Sequence, residues 1–425
     1  MNIYVESYGC SASQNDAEIM KGILAKAGFV IVNNEKLADI VILNTCIVKE
    51  PTVKSIEARI KHFAAKKLIV AGCMPEAFAA RIRLLAPGAS LLGTHRANEI
   101  LNAVRKMAEG KKVELVGNKT AKKLCLPQIP ENKVIKITQL SQGCVNKCAY
   151  CIVRSVKGML VSYPQELILK DIKKAVDAGA KEIWLTSQDN AAYGLEKGKH
   201  ALPELLDKIC GIKGKFLVRL GMLNPSSIMP ICDEMIECYK NEKMFKFLHI
   251  PIQSGSDNIL KSMNRKYKAK DFSSIIEKFR KKIPDMTIAT DIIVGFPGET
   301  ESDFQATIAL MKKIRPAVMN ISKFWPMPNT PAAKMPKQID LAKSKKRASE
   351  LAELHRKMTF EMNSKLIGKT FKVLVDEKSF GGSLTARTPN YRPVVLMNAP
   401  ISLLGKMIDV KIEKAMNFYL VGKII

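Results

Sequence analysis

The sequence predicts an α/β protein with three parts: an N-terminal parallel-sheet domain, a central partial TIM-type barrel and a small C-terminal β-barrel. Three observations support this fold class. At 425 residues, 47% of them apolar, the chain is too long for one ordinary core and apolar enough to fill several. Short β-rich runs alternate with helical stretches up to about residue 330, which indicates parallel sheets. From 366 to 425 only short strand-like runs occur, separated by turn residues, and this is typical of a small barrel.

The N-terminal domain is expected over residues 1–120. Its predicted strands are NIYVESY, ADIVILNT and KLIVAG, and its predicted helices include DAEIMKGILAKAGF and VKSIEARIKHFAA. The stretch that follows, KKVELVGNKTAKKLCLPQIPENK, is polar, contains prolines and has no clear period. It is therefore predicted to be a linker.

The central domain is expected over residues 133–360. Six strand-like runs are separated by helical segments: VIKITQLS, EIWLTS, FLVRLGM, FKFLHIPI, TIATDIIVGF and MNISKFWP. Six such units predict a partial TIM-type barrel that binds its ligands at the carboxyl ends of the strands. A basic helix, DLAKSKKRASELAELHRKMTFEMNSK, then leads to the C-terminal domain, which is expected over residues 366–425.

Composition and charge indicate a cytoplasmic protein with a polyanionic partner. No run approaches the roughly 18 apolar residues of a membrane helix, and the start MNIYVESYGC lacks the profile of a signal peptide, so no membrane association is expected. The net charge is +28, with 68 basic and 40 acidic side chains. Neutralising phosphates releases condensed counterions, so nucleic acid is the leading candidate partner. The alternative is the lysine-rich composition of a thermophile, although thermophiles raise Glu together with Lys.

Three cysteines in the run SQGCVNKCAYCIV form a CxxxCxxC pattern directly after a predicted strand. Cys144, Cys148 and Cys151 can hold an iron–sulfur cubane that keeps one iron open. An open iron can chelate S-adenosylmethionine (SAM) and pass it an electron, which cleaves the sulfonium to a 5′-deoxyadenosyl radical. The alternative is a zinc site with a remote fourth ligand. The pattern favours the radical chemistry, and these three cysteines are the predicted catalytic and metal-binding residues.

A second set of cysteines lies in the N-terminal domain. Cys10, Cys46 and Cys73 each follow a predicted strand. The carboxyl ends of parallel strands share one edge of a sheet, so these residues can converge on a second cluster with a free iron. The alternative is that each thiol is ordinary buried packing. That interpretation is preferred for four other cysteines, which lack ligand-like spacing: Cys125, Cys210, Cys232 and Cys238.

Taken together, these motifs resemble the methylthiotransferases that modify tRNA. The resemblance covers nearly the whole chain and includes ESYGCSASQND, LNTCIVKEPT, AGCMPE, QGCVNKCAYCIV, LTSQDNAAYG, HIPIQSGSDNILKSMNRKY and DIIVGFPGET. It implies a radical-SAM barrel in the centre, a TRAM-like C-terminal domain, two [4Fe–4S] clusters and SAM. The segment KGMLVSYP is less basic than the family pattern RGxLxSRP, which puts an anion-binding role for that loop in doubt.

Within the family, the motifs are most similar to the archaeal and eukaryotic branch. That branch adds a methylthio group to C2 of N6-threonylcarbamoyladenosine at position 37, beside the tRNA anticodon. The resemblance also implies SAM-binding positions at Gln188 and Gly295, and at the consecutive Gln253, Ser254 and Gly255. The bland alternative is that these motifs are turns and helix caps.

The C-terminal tail carries a charge that fits an RNA partner. From Lys365 to Ile425 there are 10 basic and 4 acidic residues, a net charge of +6. The expected partners are the anticodon loop of tRNA, an electron donor and a sulfur donor. The alternative substrates are isopentenyladenosine in tRNA and a ribosomal-protein side chain, and a further alternative is a non-enzymatic iron–sulfur RNA-binding protein. His249 and Arg219 fall on predicted strands, where a core role is as plausible as a ligand role.

Overall fold

The N-terminal domain is built around a six-stranded parallel sheet. The computed structural model of the chain describes residues 1–117 and 121–425. The strands lie in the order β2-β1-β3-β4-β5-β6, and β3 is buried along its whole length because it lies inside the sheet under helices on both faces. The strands are β1 (Asn2–Ser7), β2 (Val30–Val32), β3 (Ile40–Thr45), β4 (Lys67–Gly72), β5 (Ser90–Gly93) and β6 (Glu114–Leu115). The helices are α1 (Ser11–Lys26), α2 (Glu50–His62), α3 (Met74–Leu85) and α4 (Ile100–Ala108).

The segment predicted to be a linker is part of the folded structure on both sides of residues 118–120, which lie outside the described residues. Before them, β6 adds an edge strand to the sheet. After them, the chain packs along α1: Lys123 forms a buried ion pair of 2.7 Å with Asp16, and the Ile129 amide donates to the Glu18 carbonyl. The predicted linker is therefore not an unattached spacer, because contacts with α1 hold it on the N-terminal domain.

The central domain contains six parallel strands in two three-stranded sheets, ordered β11-β10-β7 and β12-β13-β14. These six strands coincide with the six predicted runs, and an isolated parallel bridge between Val218 and Met244 lies between the sheets. A short antiparallel pair, β8 with β9, follows the first strand. The bounds are β7 (Ile135–Gln139), β8 (Ser141–Gln142), β9 (Val161–Ser162), β10 (Glu182–Thr186), β11 (Leu217–Leu220), β12 (Phe247–His249), β13 (Thr287–Val294) and β14 (Val318–Lys323).

Helices surround these strands and bury the largest core of the molecule. Helix α12 begins with a capping box in which the Thr300 hydroxyl and the Asp303 carboxylate each accept from the other's backbone amide. The helices are α5 (Val153–Lys157), α6 (Gln165–Asp177), α7 (Leu202–Cys210), α8 (Pro225–Ile228), α9 (Cys232–Lys240), α10 (Asp257–Ser262), α11 (Ala269–Lys282), α12 (Glu301–Ile314) and α13 (Leu341–Ser364).

The C-terminal segment is a closed five-stranded barrel, as predicted. Its strand order is β15-β16-β17-β19-β18, and alternate side chains such as Val373 and Val375 fill the interior. Its strands are β15 (Thr370–Lys378), β16 (Leu384–Arg387), β17 (Pro393–Leu396), β18 (Met407–Ala415) and β19 (Leu420–Ile424). The predicted three-part α/β fold class is therefore confirmed.

The C-terminal barrel packs against the amino ends of the central strands. Tyr391 lies between the rings of Phe245 and Phe247, and its hydroxyl donates to Glu182, the first residue of β10. The guanidinium of Arg219 lies 5.2–5.6 Å from the ring centroids of Trp184, Phe247 and Tyr391. Arg219 is thus a core residue of this contact, which closes the amino end of the central barrel.

Among the described residues, no helix is both long and apolar enough to cross a membrane. Cys210, Cys232 and Cys238 are buried, and Cys125 is half-buried with its thiol near the Leu167 carbonyl. These four positions fit the predicted packing roles.

Candidate metal centres

The CxxxCxxC loop begins where the chain leaves β8. Gly143 has a φ of +72°, and a Cβ there would lie 1.9 Å from the Met159 carbonyl oxygen, so only glycine fits this turn. The Cys144 amide donates to the Gly158 carbonyl at 3.2 Å, and the Ala149 amide donates to the Met263 carbonyl at 2.9 Å. Both ends of the loop are therefore held by backbone hydrogen bonds.

Each of the three sulfurs in this loop accepts a hydrogen bond. The amides of Asn146 and Val153 donate to Sγ of Cys144 and Cys151, both at 3.4 Å. Arg265 donates from its guanidinium to Sγ of Cys148 at 3.1 Å. Donors of this kind stabilise an anionic sulfur and are one way in which a protein adjusts an iron–sulfur cluster.

Burial acts on these thiols in the opposite direction. It raises the pKa of Cys144 and raises the pKa of Cys151 to about 12. A buried thiol loses its proton when a metal ion binds the sulfur, because the positive metal then compensates the charge of the thiolate. The donor set is therefore soft, half-buried and supplied with hydrogen-bond donors, which fits an iron–sulfur group.

The N-terminal cysteines meet in a single cavity. Cys10, Cys46 and Cys73 follow β1, β3 and β4, which are adjacent in the sheet. All three line one cavity at the carboxyl edge of these strands. Burial raises the pKa of Cys46 and raises that of Cys73 to about 11. The convergence that strand positions predicted is present in the fold.

The same cavity is lined by residues of the central domain. Val153 and Lys157 reach it from α5, directly after the CxxxCxxC loop, and Gln188 reaches it from the end of β10. The cavity thus lies where the N-terminal domain meets α5 of the central domain, and Gln188, a predicted SAM-binding residue, lies on its wall.

The other predicted SAM-binding positions have close structural partners. The Gly255 amide donates to the Thr307 hydroxyl at 2.9 Å, and the buried Ser254 hydroxyl lies 3.4 Å from the same oxygen, so both pack on α12. At Gly295, where φ is +74°, a Cβ would lie 2.1 Å from the Ser344 hydroxyl of α13. These three positions permit close approach of helices, whatever further role they have.

Gln253 differs from its neighbours because it has a strained backbone. Its φ is +75°, which is uncommon outside glycine, and its amide and carbonyl bond to β13 in a parallel bridge with Ile292. Nearby, His249 lies 3.0 Å from the Asp291 carboxylate, which also accepts from Asn320. Strain of this kind is concentrated at functional sites.

No group of three His, Cys, Asp or Glu side chains within residues 1–117 and 121–425 is close enough to share one metal ion. A cubane makes a different demand, because each thiolate binds its own iron. Each set of three cysteines could supply thiolates to three of the four irons of a cubane.

Two residues near these centres were missed from the sequence. Arg265, in the NRKY stretch, donates to Cys148 although it is 117 positions away. Lys157 is buried beside the N-terminal cysteines. In the sequence, the only signal for Arg265 and Lys157 was that each lies in a motif shared with the methylthiotransferase family.

Comparison with known protein families divides the chain into three matching regions. Residues 2–93 match the uncharacterized protein family UPF0004, residues 138–311 match the radical SAM superfamily, and residues 364–425 match the TRAM domain. The radical SAM match implies a [4Fe–4S] cluster and SAM as cofactors.

Solved structures share the fold at low sequence identity. The radical S-adenosylmethionine methyltransferase TsrM from Kitasatospora setae superposes with a TM-score of 0.58 at 12% identity, over 78% of this chain and 73% of that one. The cobalamin-dependent S-adenosylmethionine radical enzyme OxsB gives a TM-score of 0.55 at 10% identity, over 83% of this chain and 55% of that one.

Full-length relatives are more similar. A protein of Pyrococcus abyssi named "Probable threonylcarbamoyladenosine tRNA methylthiotransferase" is 39% identical over 100% of this chain and 99% of its own length. The Homo sapiens threonylcarbamoyladenosine tRNA methylthiotransferase is 35% identical over 99% of this chain and 73% of its own. The chain belongs to the threonylcarbamoyladenosine tRNA methylthiotransferase family.

Proposed function

We propose that the protein is a radical-SAM methylthiotransferase that adds a methylthio group to C2 of N6-threonylcarbamoyladenosine at position 37 of tRNA. The observation that carries this proposal is the shared cavity. Side chains of the central domain, Val153, Lys157 and Gln188, line it together with the three N-terminal cysteines. The N-terminal cysteines therefore share a cavity with α5, the helix that directly follows the CxxxCxxC loop.

In this proposal Cys144, Cys148 and Cys151 hold the catalytic [4Fe–4S] cluster, and Cys10, Cys46 and Cys73 hold a second one. The clusters and SAM supply the radical and sulfur chemistry when bound. The chain itself supplies hydrogen bonds to the sulfurs, and apolar walls such as Ile152 and Val156 that exclude water. Gln188, Gln253, Ser254, Gly255 and Gly295 are the proposed SAM-binding positions.

The domain boundaries follow the same division of labour: 1–120 for the second cluster, 133–360 for the radical chemistry and 366–425 for RNA. The C-terminal barrel presents seven exposed lysines, whereas Arg387 is paired with Asp376 and Arg392 donates to Asn363. Exposed lysines bind phosphates of the RNA backbone. The target adenine must unstack from its neighbours before C2 can enter the active site. A cytoplasmic location, an electron donor and a sulfur donor complete the proposal.

Nucleoside mass spectrometry tests the substrate. The anaerobically reconstituted protein is incubated with SAM, a sulfur source, a reductant and tRNA that carries N6-threonylcarbamoyladenosine. We expect a methylthio mass gain on that nucleoside. A gain on isopentenyladenosine alone would move the activity to the sister branch, a gain only on protein would refute the RNA substrate, and no gain would favour a non-enzymatic role.

Cysteine variants test the two centres. Replacing Cys10, Cys46 and Cys73 together by Ala should remove about half of the roughly eight irons of two cubanes. This variant should still form 5′-deoxyadenosine but give no methylthio product. The matched variant of Cys144, Cys148 and Cys151 should lose both products. Methylthiolated RNA from the first variant would contradict the assignment.

A further inference from the structure

Lys157 places a buried positive charge on the wall of the cavity that the N-terminal cysteines share. The residue is only 8% exposed, and it lines the cavity together with Cys10, Cys46 and Cys73. Burying an ammonium costs several kcal/mol unless an anion compensates it. A lysine at this position therefore implies negative charge close by.

The protein offers little of that charge apart from the thiols. The Lys157 ammonium makes no hydrogen bond or ion pair with the described residues, 1–117 and 121–425. The nearby carboxylate, Asp16, is taken by Lys123 at 2.7 Å in an ion pair buried on both sides. The cavity that Lys157 lines holds the three cysteines and no carboxylate, and the charges that act on the ammonium are those of the cysteines, Asp16 and the buried Lys123.

Electrostatics agree with this geometry. Burial alone would lower the pKa of the Lys157 ammonium, but the charges of Cys73, Cys10, Asp16 and Cys46 outweigh it and hold the pKa above its ordinary value.

The side chain is not needed to hold its own loop. The Lys157 carbonyl accepts from Nε2 of the buried His95 at 3.1 Å, and the next carbonyl, that of Gly158, accepts from the Cys144 amide. Backbone contacts of this kind remain when the side chain changes. The charge of Lys157 is therefore available for another purpose.

We propose that Lys157 is a positioning residue of the second centre: its ammonium is the fixed counter-charge of the Cys10, Cys46 and Cys73 thiolates and raises the reduction potential of the cluster they hold. This inference depends on the proposed function, which assigns a cluster to those cysteines. Reduction adds negative charge to a cluster, and a nearby cation stabilises the more negative form.

Two substitutions separate charge from shape. Lys157→Met removes the charge and keeps most of the length, whereas Lys157→Arg keeps the charge. The full-length proteins are reconstituted anaerobically, assayed for iron and sulfide, and titrated with EPR detection. SAM added to a parallel sample identifies the catalytic cluster, because SAM alters the signal of the cluster whose iron it binds.

We expect Lys157→Met to shift the midpoint potential of the SAM-insensitive signal to lower values and Lys157→Arg to leave it near the wild-type value. Loss of that cluster in the Met variant alone would also support the inference. An unchanged potential in the Met variant, or an equal shift or loss in both variants, would overturn it. The iron content of the wild-type protein tests the proposed function separately. If it corresponds to a single cluster, the assignment of a second cluster to the N-terminal cysteines is refuted, whatever the Lys157 variants show.

Discussion

Arg265 has a proposed role at the CxxxCxxC centre that follows from its contacts. Its guanidinium donates to Sγ of Cys148, while its other nitrogens donate to the Tyr267 hydroxyl, the Asn224 side chain and the Pro251 carbonyl. Because four partners hold the guanidinium in place, the nitrogen that donates to Cys148 has little freedom to move away from the sulfur. Removing it leaves the sulfur without a charge-assisted hydrogen bond, which is worth about 1.5–3 kcal/mol.

We therefore expect Arg265→Gln to slow 5′-deoxyadenosine formation about tenfold or more, since 1.4 kcal/mol corresponds to a factor of ten. Arg265→Lys should lose less because it keeps the charge but not the fork of donors. Reductive SAM cleavage without RNA measures the effect, and Arg81→Gln, at an exposed ion pair, is the control. A wild-type rate in the Gln variant would show that the contact with Cys148 does not affect SAM cleavage.

Glu18 predicts a pH dependence of stability. Burial raises its pKa to about 7, and the hydrogen bond from the Glu131 amide opposes the shift only in part. The folded pKa lies above the unfolded value, so the contribution of Glu18 to stability is full below about pH 4.5 and is lost as the pH rises through 7. The loss is on the order of 3 kcal/mol.

Glu18→Gln should remove this dependence. The thermal unfolding midpoint of the variant should rise relative to that of the wild type between pH 5 and pH 8, and Glu109→Gln, at an exposed site, should give a constant difference. Parallel pH profiles for wild type and Glu18→Gln would show that the Glu18 carboxylate is not desolvated in the folded state.

Among individual residues, the sequence predicted which cysteines group together but not which other side chains lie beside them. CxxxCxxC is a local pattern, and strand ends brought Cys10, Cys46 and Cys73 to one edge. Arg265 and Lys157 could not be predicted, because their contacts depend on how distant segments pack. The SAM-binding positions remain predictions, and the packing of Ser254 and Gly255 on α12 gives those residues a structural reason as well.

Among the elements, α1 contains a glycine where helix propensity would favour alanine. Replacing Gly by Ala inside a helix normally stabilises it by about 0.5–1 kcal/mol. At Gly22, however, a Cβ would lie 2.4 Å from the backbone of Pro127 and Gln128. A residue without a Cβ is therefore required at position 22, because the connecting segment packs directly on the helix there.

We expect Gly22→Ala to destabilise the protein by about 1–3 kcal/mol, the usual cost of overpacking. A lower thermal unfolding midpoint and faster proteolysis near residue 127 would report it. Gly88→Ala, where nothing lies within 4 Å of the new Cβ, is the matched control and should be close to neutral. A stabilised Gly22→Ala would mean that the connecting segment is not packed on α1.

Strands inside a longer patterned run were predicted well, and short isolated strands poorly. All six central strands and all five strands of the C-terminal barrel overlap the predicted runs, and only β14 and β15 extend beyond theirs, by one residue each. The strands β2, β5 and β6 have two to four residues, too few for a period, and tertiary pairing alone defines them. The same reason explains why the segment after β6 was predicted to be a linker.

For the whole molecule, charge on the C-terminal barrel is the feature that bears on RNA binding. Lys411 and Lys423 are paired across β18 and β19, and Lys414 lies on the same exposed hairpin. Deleting the whole barrel would uncover Phe245 and Phe247, so point substitutions are the cleaner test.

Changing Lys411, Lys414 and Lys423 together to Ala should weaken tRNA binding and make its logarithmic salt dependence shallower by up to about one unit per lost phosphate contact. SAM cleavage without RNA should stay at the wild-type level. Binding curves at several salt concentrations measure the change, and Lys111→Ala with Lys112→Ala is the control. An unaltered salt slope would exclude this hairpin from the RNA interface.

The closed amino end of the central barrel has a consequence for what the enzyme can accept. The C-terminal barrel covers Glu182 at one end of β10, while the cysteine cavity begins past Thr186 at the other, and five residues of strand span about 16 Å. In the proposed function, the RNA-binding barrel and the cluster site are thus separated by the length of the central strands. A free nucleoside is large enough to occupy only the cluster site, whereas a folded tRNA is long enough to contact both. The proposed enzyme therefore selects its substrate by length and shape as well as by the modified base.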